Sequence, residues 1–414
     1  MRQSLHALPV ALILSFLISC QSEKNITQQN DDELQKHAHE LAQRFIITDG
    51  HVDLPYRLRV KNFRLEREYL EIPIKSNEGD FDYERAKKGG LDAPFMAIYI
   101  PSAQQLKPDM GKALADSLID MVTGIANAHS DKFALARTPQ DIIDNTRASK
   151  ISLPMGMENG SPIGNDLKNV GYFFDRGIRY ITLTHGKDNQ ICDSSYDSLN
   201  TWKGLSPFGE DVVKEMNRLG MMVDISHVSD STFYDVIKIT SAPVIASHSS
   251  CRIFTPGFQR NMSDDMIKAL AANGGVIQIN FGASFLDSVA RSNSKLLDSL
   301  ESILQAKKLT SVDPEAQPII DQFVKDHKQL YSDVERVADH IDHVVKLVGI
   351  DHVGLGSDYD GVGDSLPIGL KDVSQYPNLI FVLLKRGYTD EQIEKICSGN
   401  VFRVWNKIIA AAAK

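Results

Sequence analysis

Between residues 45 and 357 the chain sets eight short β-rich runs in alternation with stretches of helical period, and this alternation limits the fold class before any single residue is weighed. The runs are Phe45 to Asp53, Pro94 to Ile100, Ile151 to Glu158, Arg179 to Thr184, Met221 to Ser226, Pro243 to Ser247, Gly275 to Asn280 and His352 to Ser357. Helices are expected over Asp109 to His129, Pro139 to Ala148, Pro207 to Leu219, Ser229 to Ile239, Ser263 to Asn273 and Ser332 to Val348. Strands alternating with helices give a parallel sheet covered by helices. Eight units point to an α/β (β/α)8 TIM-type barrel, because an open doubly wound sheet would carry a Gly-rich first turn and no G-x-G-x-x-G follows the first run. The stretch Ala283 to Asp333, with helical period over Ser294 to Lys308, reads as a helical insertion before strand eight. Thr389 to Ala413 reads as two C-terminal helices split at Ser398-Gly399-Asn400, and residues 41–414 as one domain.

The first residues follow a different pattern. Arg2 supplies a positive start and Ala7 to Ile18 an apolar run too short to span a bilayer, which is the form of a secretory leader. Leu17-Ile18-Ser19-Cys20 resembles the bacterial lipoprotein cleavage box, so residues 1–19 are expected to be removed and Cys20 lipidated. Residues 20–40 then read as a polar tether holding the domain at a bacterial membrane, on the periplasmic or cell-surface side. Cys192, Cys251 and Cys397 remain, an odd number without C-x-x-C spacing, which indicates neither a zinc ribbon nor a full disulfide set and leaves a Cys192 to Cys251 bridge conceivable. A net charge of −9 argues against a nucleic acid partner.

Unusual polar residues collect at the ends of the runs. His51 and Asp53 stand two apart at the end of the first, so both side chains point to one side of a strand, as two ligands of one metal require. Glu158 ends the third. The fourth, fifth and sixth lead into His185, His227 and His248, and the eighth into Asp358. Any one of these histidines is more simply read as structural. Three in succession at the C-terminal rim of one barrel are not, because that rim is where such folds place catalysis. His37, His39, His129, His327, His340 and His343 sit in tether or helical contexts and read as surface residues.

These motifs resemble the membrane dipeptidase family of binuclear zinc peptidases. The resemblance rests on Asp49-Gly50-His51-Val52-Asp53-Leu54-Pro55, Thr182-Leu183-Thr184-His185, Asp224-Ile225-Ser226-His227-Val228-Ser229, Ser247-His248-Ser249-Ser250, Arg260-Asn261, Gly356-Ser357-Asp358-Tyr359-Asp360-Gly361, and Gly399-Asn400 with Arg403. Together these run from about residue 45 to 407. One departure is Asn159, where the family often has glycine after the glutamate. The resemblance implies two zinc ions per chain, one on His51 and Asp53, the other on His227 and His248, with Glu158 bridging them and a bridging hydroxide as nucleophile. It further implies that His185 polarises the scissile carbonyl, Arg260 clamps the substrate carboxylate, and Asp358 meets the free amine and moves a proton.

The implied activity is hydrolysis of dipeptides with both ends free, including those with a C-terminal D-residue. Two other readings stay open: a binuclear amidohydrolase for N-acyl amino acids, and a catalytically dead surface protein that binds peptides. Retention of all five ligand candidates argues against the last. Side-chain preference, and whether the chain forms a homodimer, are left open by the sequence.

Overall fold

The computed structural model describes residues 30–60, 73–105, 108–309, 313–327 and 331–412. Ten strands are present among them: β1 (Ile47–Val52), β2 (Leu91–Tyr99), β3 (Phe133–Leu135), β4 (Ile151–Leu153), β5 (Met155–Glu158), β6 (Ile178–Thr182), β7 (Met222–Asp224), β8 (Ile245–Ala246), β9 (Val276–Ile279) and β10 (Val353–Leu355). Eight form one parallel sheet in the order β1-β2-β5-β6-β7-β8-β9-β10. The sheet curls until its edges meet: Val52 bridges Tyr359 in parallel, Asp53 N–H donates to the Tyr359 carbonyl at 2.8 Å, and Asp358 N–H donates to the His51 carbonyl at 3.1 Å. The result is the expected (β/α)8 barrel, with β-strands buried along nearly their whole length because helices cover the outside and side chains fill the inside.

The third expected run is two strands. Pro154 interrupts it; β4 pairs with β3 in a separate two-stranded sheet, and only β5 enters the barrel. Helix boundaries follow local chemistry closely. Ser206 caps Pro207–Leu219 by accepting from Gly209 N–H, proline occupies the first turn, and Gly220 closes the helix at φ 77°. Ser263 likewise caps Asp264–Ala272, whose first turn holds Asp264 and Asp265 where the helix dipole favours negative charge.

Two expectations need correction, and one open question closes. Residues 30–44 are helical, and Ala38, Leu41 and Ala42 lie in the main core, so the tether does not extend to residue 40; the leader, Cys20 and residues 21–29 lie outside the described residues. Cys192, Cys251 and Cys397 are all buried and unpaired, so no Cys192 to Cys251 bridge exists. His340 is buried rather than superficial, with Nδ1 accepting from Cys251 N–H at 3.0 Å and Nε2 donating to the Leu286 carbonyl at 3.0 Å.

The insertion before β10 is helical as expected, with Ser294–Ala306 and Gln317–Asp326 sharing a small apolar cluster of Leu300, Leu304 and Ala316. At the C-terminus the expected split at Ser398-Gly399-Asn400 is instead a widened turn, Lys395–Gly399, that carries the helix on into Asn400–Ala412. That last helix inserts Val404, Trp405 and Ile408 among the barrel residues Ala93, Phe95, Tyr180, Met222, Ile245 and Val276. Among the described residues no helix is long and apolar enough to cross a membrane.

Candidate metal centre and active site

The strand ends bring six of the candidate residues into one cluster. His51 is on β1 and Asp53 just beyond it; Glu158 closes β5; His185, His227 and His248 follow β6, β7 and β8 by two or three residues. His51, Asp53, Glu158, His227 and His248 are all buried, and His185 is about one-quarter exposed. The backbone turns sharply here: Asn159, His227, Asp358 and Asp360 all sit at positive φ, 78°, 69°, 65° and 65°. This left-handed region is one that non-glycine residues enter at a cost.

Glu158 is the hub. Its Oε2 lies 3.3 Å from His51 Nε2, which in turn is 3.4 Å from Asp53 Oδ2. Its Oε1 lies 3.0 Å from His227 Nε2, 3.5 Å from His248 Nε2 and 3.6 Å from His185 Nε2, while the Nε2 atoms of His227 and His248 are 2.9 Å apart. The two oxygens of one carboxylate thus face two groups of donors. Donors held about 2.0–2.1 Å from one tetrahedral zinc stand roughly 3.3 Å from one another, so each group has the separations such an ion would impose. Donor atoms also fall within 4.8 Å in the sets His51–Glu158–His248, Glu158–His185–His227 and His51–Asp53–Asp358.

Protonation favours the same role. Burial pushes His227 and His248 well below the usual histidine range, with the Arg260 charge acting in the same direction, so both imidazoles are neutral and offer a lone pair. Burial acts to raise Glu158, but the surrounding histidines outweigh it and hold the carboxyl well below its ordinary value. Among buried atoms without a hydrogen-bond partner are His51 Nε2 and Asp53 Oδ1, both in this cluster. Burial acts to lower His51, but the neighbouring Tyr180, Glu158 and Asp53 outweigh it and hold the imidazole well above its ordinary value. Two neutral imidazoles and a cluster of carboxylates that favours positive charge in a buried site fit a cation.

Beside this cluster lies a cavity of about 700 Å³, lined by Asp53, Glu158, His185, His227 and Asp358 together with Tyr56, Tyr99, Tyr196, Phe285 and Val362. Asp358 Oδ2 accepts from Asn280 Nδ2 at 2.8 Å, and burial, reinforced by the carboxylates of Asp53 and Glu158 and opposed by His51, pushes Asp358 up to about 7. Gly361 is required here, since a Cβ would stand 2.2 Å from Asp53 Oδ2 and 2.3 Å from Asp358 Oδ1. Arg260 is buried behind His248: Nη2 donates to the His248 carbonyl at 2.8 Å, Nη1 to Ser249 Oγ at 2.7 Å, and Nε is left without a partner. All eight candidate residues of the barrel therefore gather at one rim; Cys20 lies outside the described residues.

Sequence reasoning misses a layer beneath the histidines. His51 Nδ1 is 2.9 Å from Tyr180 Oη, which donates to the Gly50 carbonyl at 3.0 Å. His248 Nδ1 is 2.7 Å from Ser247 Oγ, which donates to Asp224 Oδ2 at 2.6 Å. Tyr180 and Thr182 alternate with the outward residues of β6, a periodicity that marks them as inward-facing. The aromatic cavity wall carries no comparable signal, because its residues come from separate loops.

A model of the membrane dipeptidase family (peptidase family M19) matches residues 35–414. The dipeptidase tcpJ of Claviceps purpurea is 33% identical over 372 residues, 88% of this chain and 77% of that protein. Among solved structures, the probable dipeptidase PvdM of Pseudomonas aeruginosa superposes with a TM-score of 0.76 at 26% identity, over 92% of this chain and 99% of that one. A metallopeptidase of Rhodobacter sphaeroides, solved with a phosphinate mimic of the dipeptide L-Ala-D-Ala, gives 0.72 at 25% identity, over 88% and 99%.

Proposed function

The chain belongs to the membrane dipeptidase family of metallopeptidases, and from that premise we propose that it hydrolyses dipeptides with free amino and carboxyl ends at a centre of two zinc ions. The observation that carries this reading is the division of the Glu158 oxygens between the His51–Asp53 pair and the His227–His248 pair. Two cations held close together need a shared anion to offset their repulsion, and a carboxylate with one oxygen toward each supplies it. His51, Asp53 and Glu158 would hold one ion; Glu158, His227 and His248 the other. Such ions supply Lewis acidity and a nucleophile at neutral pH.

The remaining residues act on the substrate. His185, on the cavity side of Glu158, is placed to donate to the oxygen of the scissile carbonyl as negative charge develops there. Arg260 offers its partnerless Nε to the terminal carboxylate. Asp358, fixed by Asn280, receives the free amine and carries a proton toward the leaving nitrogen. A carboxylate site and an amine site at fixed separation measure length, so a dipeptide satisfies both and a tripeptide strands one. The L-Ala-D-Ala mimic bound by the Rhodobacter sphaeroides relative supports including a C-terminal D-residue among the substrates. We also propose that Cys20 anchors the chain to a bacterial envelope membrane through lipid, on the strength of the Leu17-Ile18-Ser19-Cys20 box.

The test is a panel of L,L and L,D dipeptides with N-acetylated and amidated controls, run beside a metal analysis of the purified protein. Two zinc ions per chain and hydrolysis restricted to dipeptides with free ends are expected. Hydrolysis of N-acetyl amino acids at rates equal to those of dipeptides would replace this reading with the acylase one.

A further inference from the structure

Beneath the ligand set, the direction of every hydrogen bond is forced by acceptors that have no proton to give. The Gly50 carbonyl can only accept, so the Tyr180 hydroxyl spends its single proton there, at 3.0 Å. The 2.9 Å contact between Tyr180 Oη and His51 Nδ1 must then be donated by His51, which places an imidazole proton on Nδ1 and turns Nε2 toward Glu158 and Asp53. The second relay works the same way. Asp224 is buried and takes donors on both oxygens: Ser226 N–H at 3.1 Å and Ser247 N–H at 2.8 Å on Oδ1, Thr182 Oγ1 at 2.5 Å and Ser247 Oγ at 2.6 Å on Oδ2. With its proton committed to Asp224, Ser247 Oγ accepts from His248 Nδ1, which turns His248 Nε2 toward Glu158. His227 differs: its Nδ1 is buried with no partner among the described residues.

We propose that Tyr180 and the Ser247–Asp224 pair are positioning residues that hold His51 and His248 in the Nδ1–H tautomer, so that the two proposed metal sites are set before metal arrives and by unequal means. One relay ends on a neutral carbonyl and the other on a carboxylate. The barrel is built around the first relay: a Cβ at Gly156 would stand 1.9 Å from Tyr180 Cζ, so only glycine on β5 lets the tyrosine ring cross the interior beneath His51. The inference rests on the reading of this cluster as a metal centre.

The experiment measures zinc affinity of the full-length protein by competition with a chelator, for wild type and for Tyr180→Phe, Ser247→Ala and Thr182→Val. Loss of an outer partner of a ligating histidine typically weakens metal binding about 10–100-fold. Tyr180→Phe, which removes only the hydroxyl, should weaken one of two zinc ions by that factor, and Ser247→Ala the other. Thr182→Val removes one of the four donors to Asp224 while leaving the Ser247 Oγ and His248 contacts in place, so its affinities should stay within about threefold of wild type. Melting temperatures of the metal-free forms serve as the folding control. Wild-type affinity and stoichiometry in Tyr180→Phe would overturn the proposal, as would equal losses in Ser247→Ala and Thr182→Val. Failure of the wild type to bind zinc at all would instead overturn the metal reading beneath it.

Discussion

Acetylating the amino group of a good dipeptide substrate should abolish most of its turnover, and the structure sets the size of the loss. Asp358 is buried at the cavity wall with Asn280 as its side-chain donor, so a bound ammonium group supplies the charge that its carboxylate otherwise lacks. An acetamide has no such charge and two fewer donors. Stranding one member of a buried, hydrogen-bonded charge pair costs about 2–5 kcal/mol. At about 1.4 kcal/mol per tenfold, that is a fall of roughly 30-fold to several thousandfold in kcat/KM. The assay is separation of free and acetylated dipeptides from their products by chromatography under first-order conditions, on wild type and on Asp358→Asn. Wild type should discriminate by that factor. The Asn variant should be slower on both substrates and discriminate far less, because a neutral amide gains little from an ammonium. Acetylated substrate within threefold of the free dipeptide on wild type would refute the assignment of Asp358 as the amine site.

Four further outcomes are expected. Arg260→Ala should lose most discrimination against C-terminal amides while keeping the preference for a free amine, read from the same chromatographic kinetics. Chelation should remove activity, and two equivalents of zinc should be needed to restore it; full recovery at one equivalent would count against the paired centre. Cys20→Ser should shift the protein out of the membrane fraction or leave its precursor uncut, with dipeptide hydrolysis intact; unchanged membrane attachment of a correctly cleaved chain would remove the lipid anchor. Asp92, buried at the start of β2 and accepting from Ile47 N–H, is pushed up to about 6, chiefly by burial. The folded state therefore holds that proton more tightly than the unfolded chain; the charged form costs stability above pH 6, and the cost fades as pH falls from about 6 toward 4. The rise from 3.8 corresponds to roughly 3 kcal/mol. Asp92→Asn, whose amide oxygen still accepts from Ile47, should gain up to about that much in urea unfolding at pH 8 and little at pH 4; equal gains at both would refute it.

Histidines at the ends of three consecutive strands are visible in sequence because strand and turn signals meet there, and a polar side chain at that junction has nowhere to point but the rim. The relays beneath them are not visible. A tyrosine within a strand reads as core, and only the curling of the sheet, which lets the Tyr180 ring on β6 reach across the interior to β1, brings it to His51. Pro154 lies within one β-rich run, Ile151 to Glu158, and the division into β4 and β5 depends on β3 offering β4 a separate partner. The helix over residues 30–44 escapes notice for a different reason: Leu34, Ala38, Leu41 and Ala42 recur at helical spacing, but they are outnumbered by the polar residues around and before them.

The left-handed backbone at His227 and Asp358 has an evolutionary consequence. Each position costs about 1–2 kcal/mol in a residue other than glycine, so selection for folding alone favours glycine or asparagine there, and only catalysis retains a histidine and an aspartate. Gly50, Gly156 and Gly356 are held by the opposite pressure, since a Cβ at any of them would run into the Ser247 carbonyl or the Tyr180 ring whether or not the protein works as an enzyme. A duplicated copy freed from catalytic duty should therefore lose the first pair early and keep the three glycines for as long as the barrel folds. Reading those five positions would separate a retired copy from a working one before any assay is run.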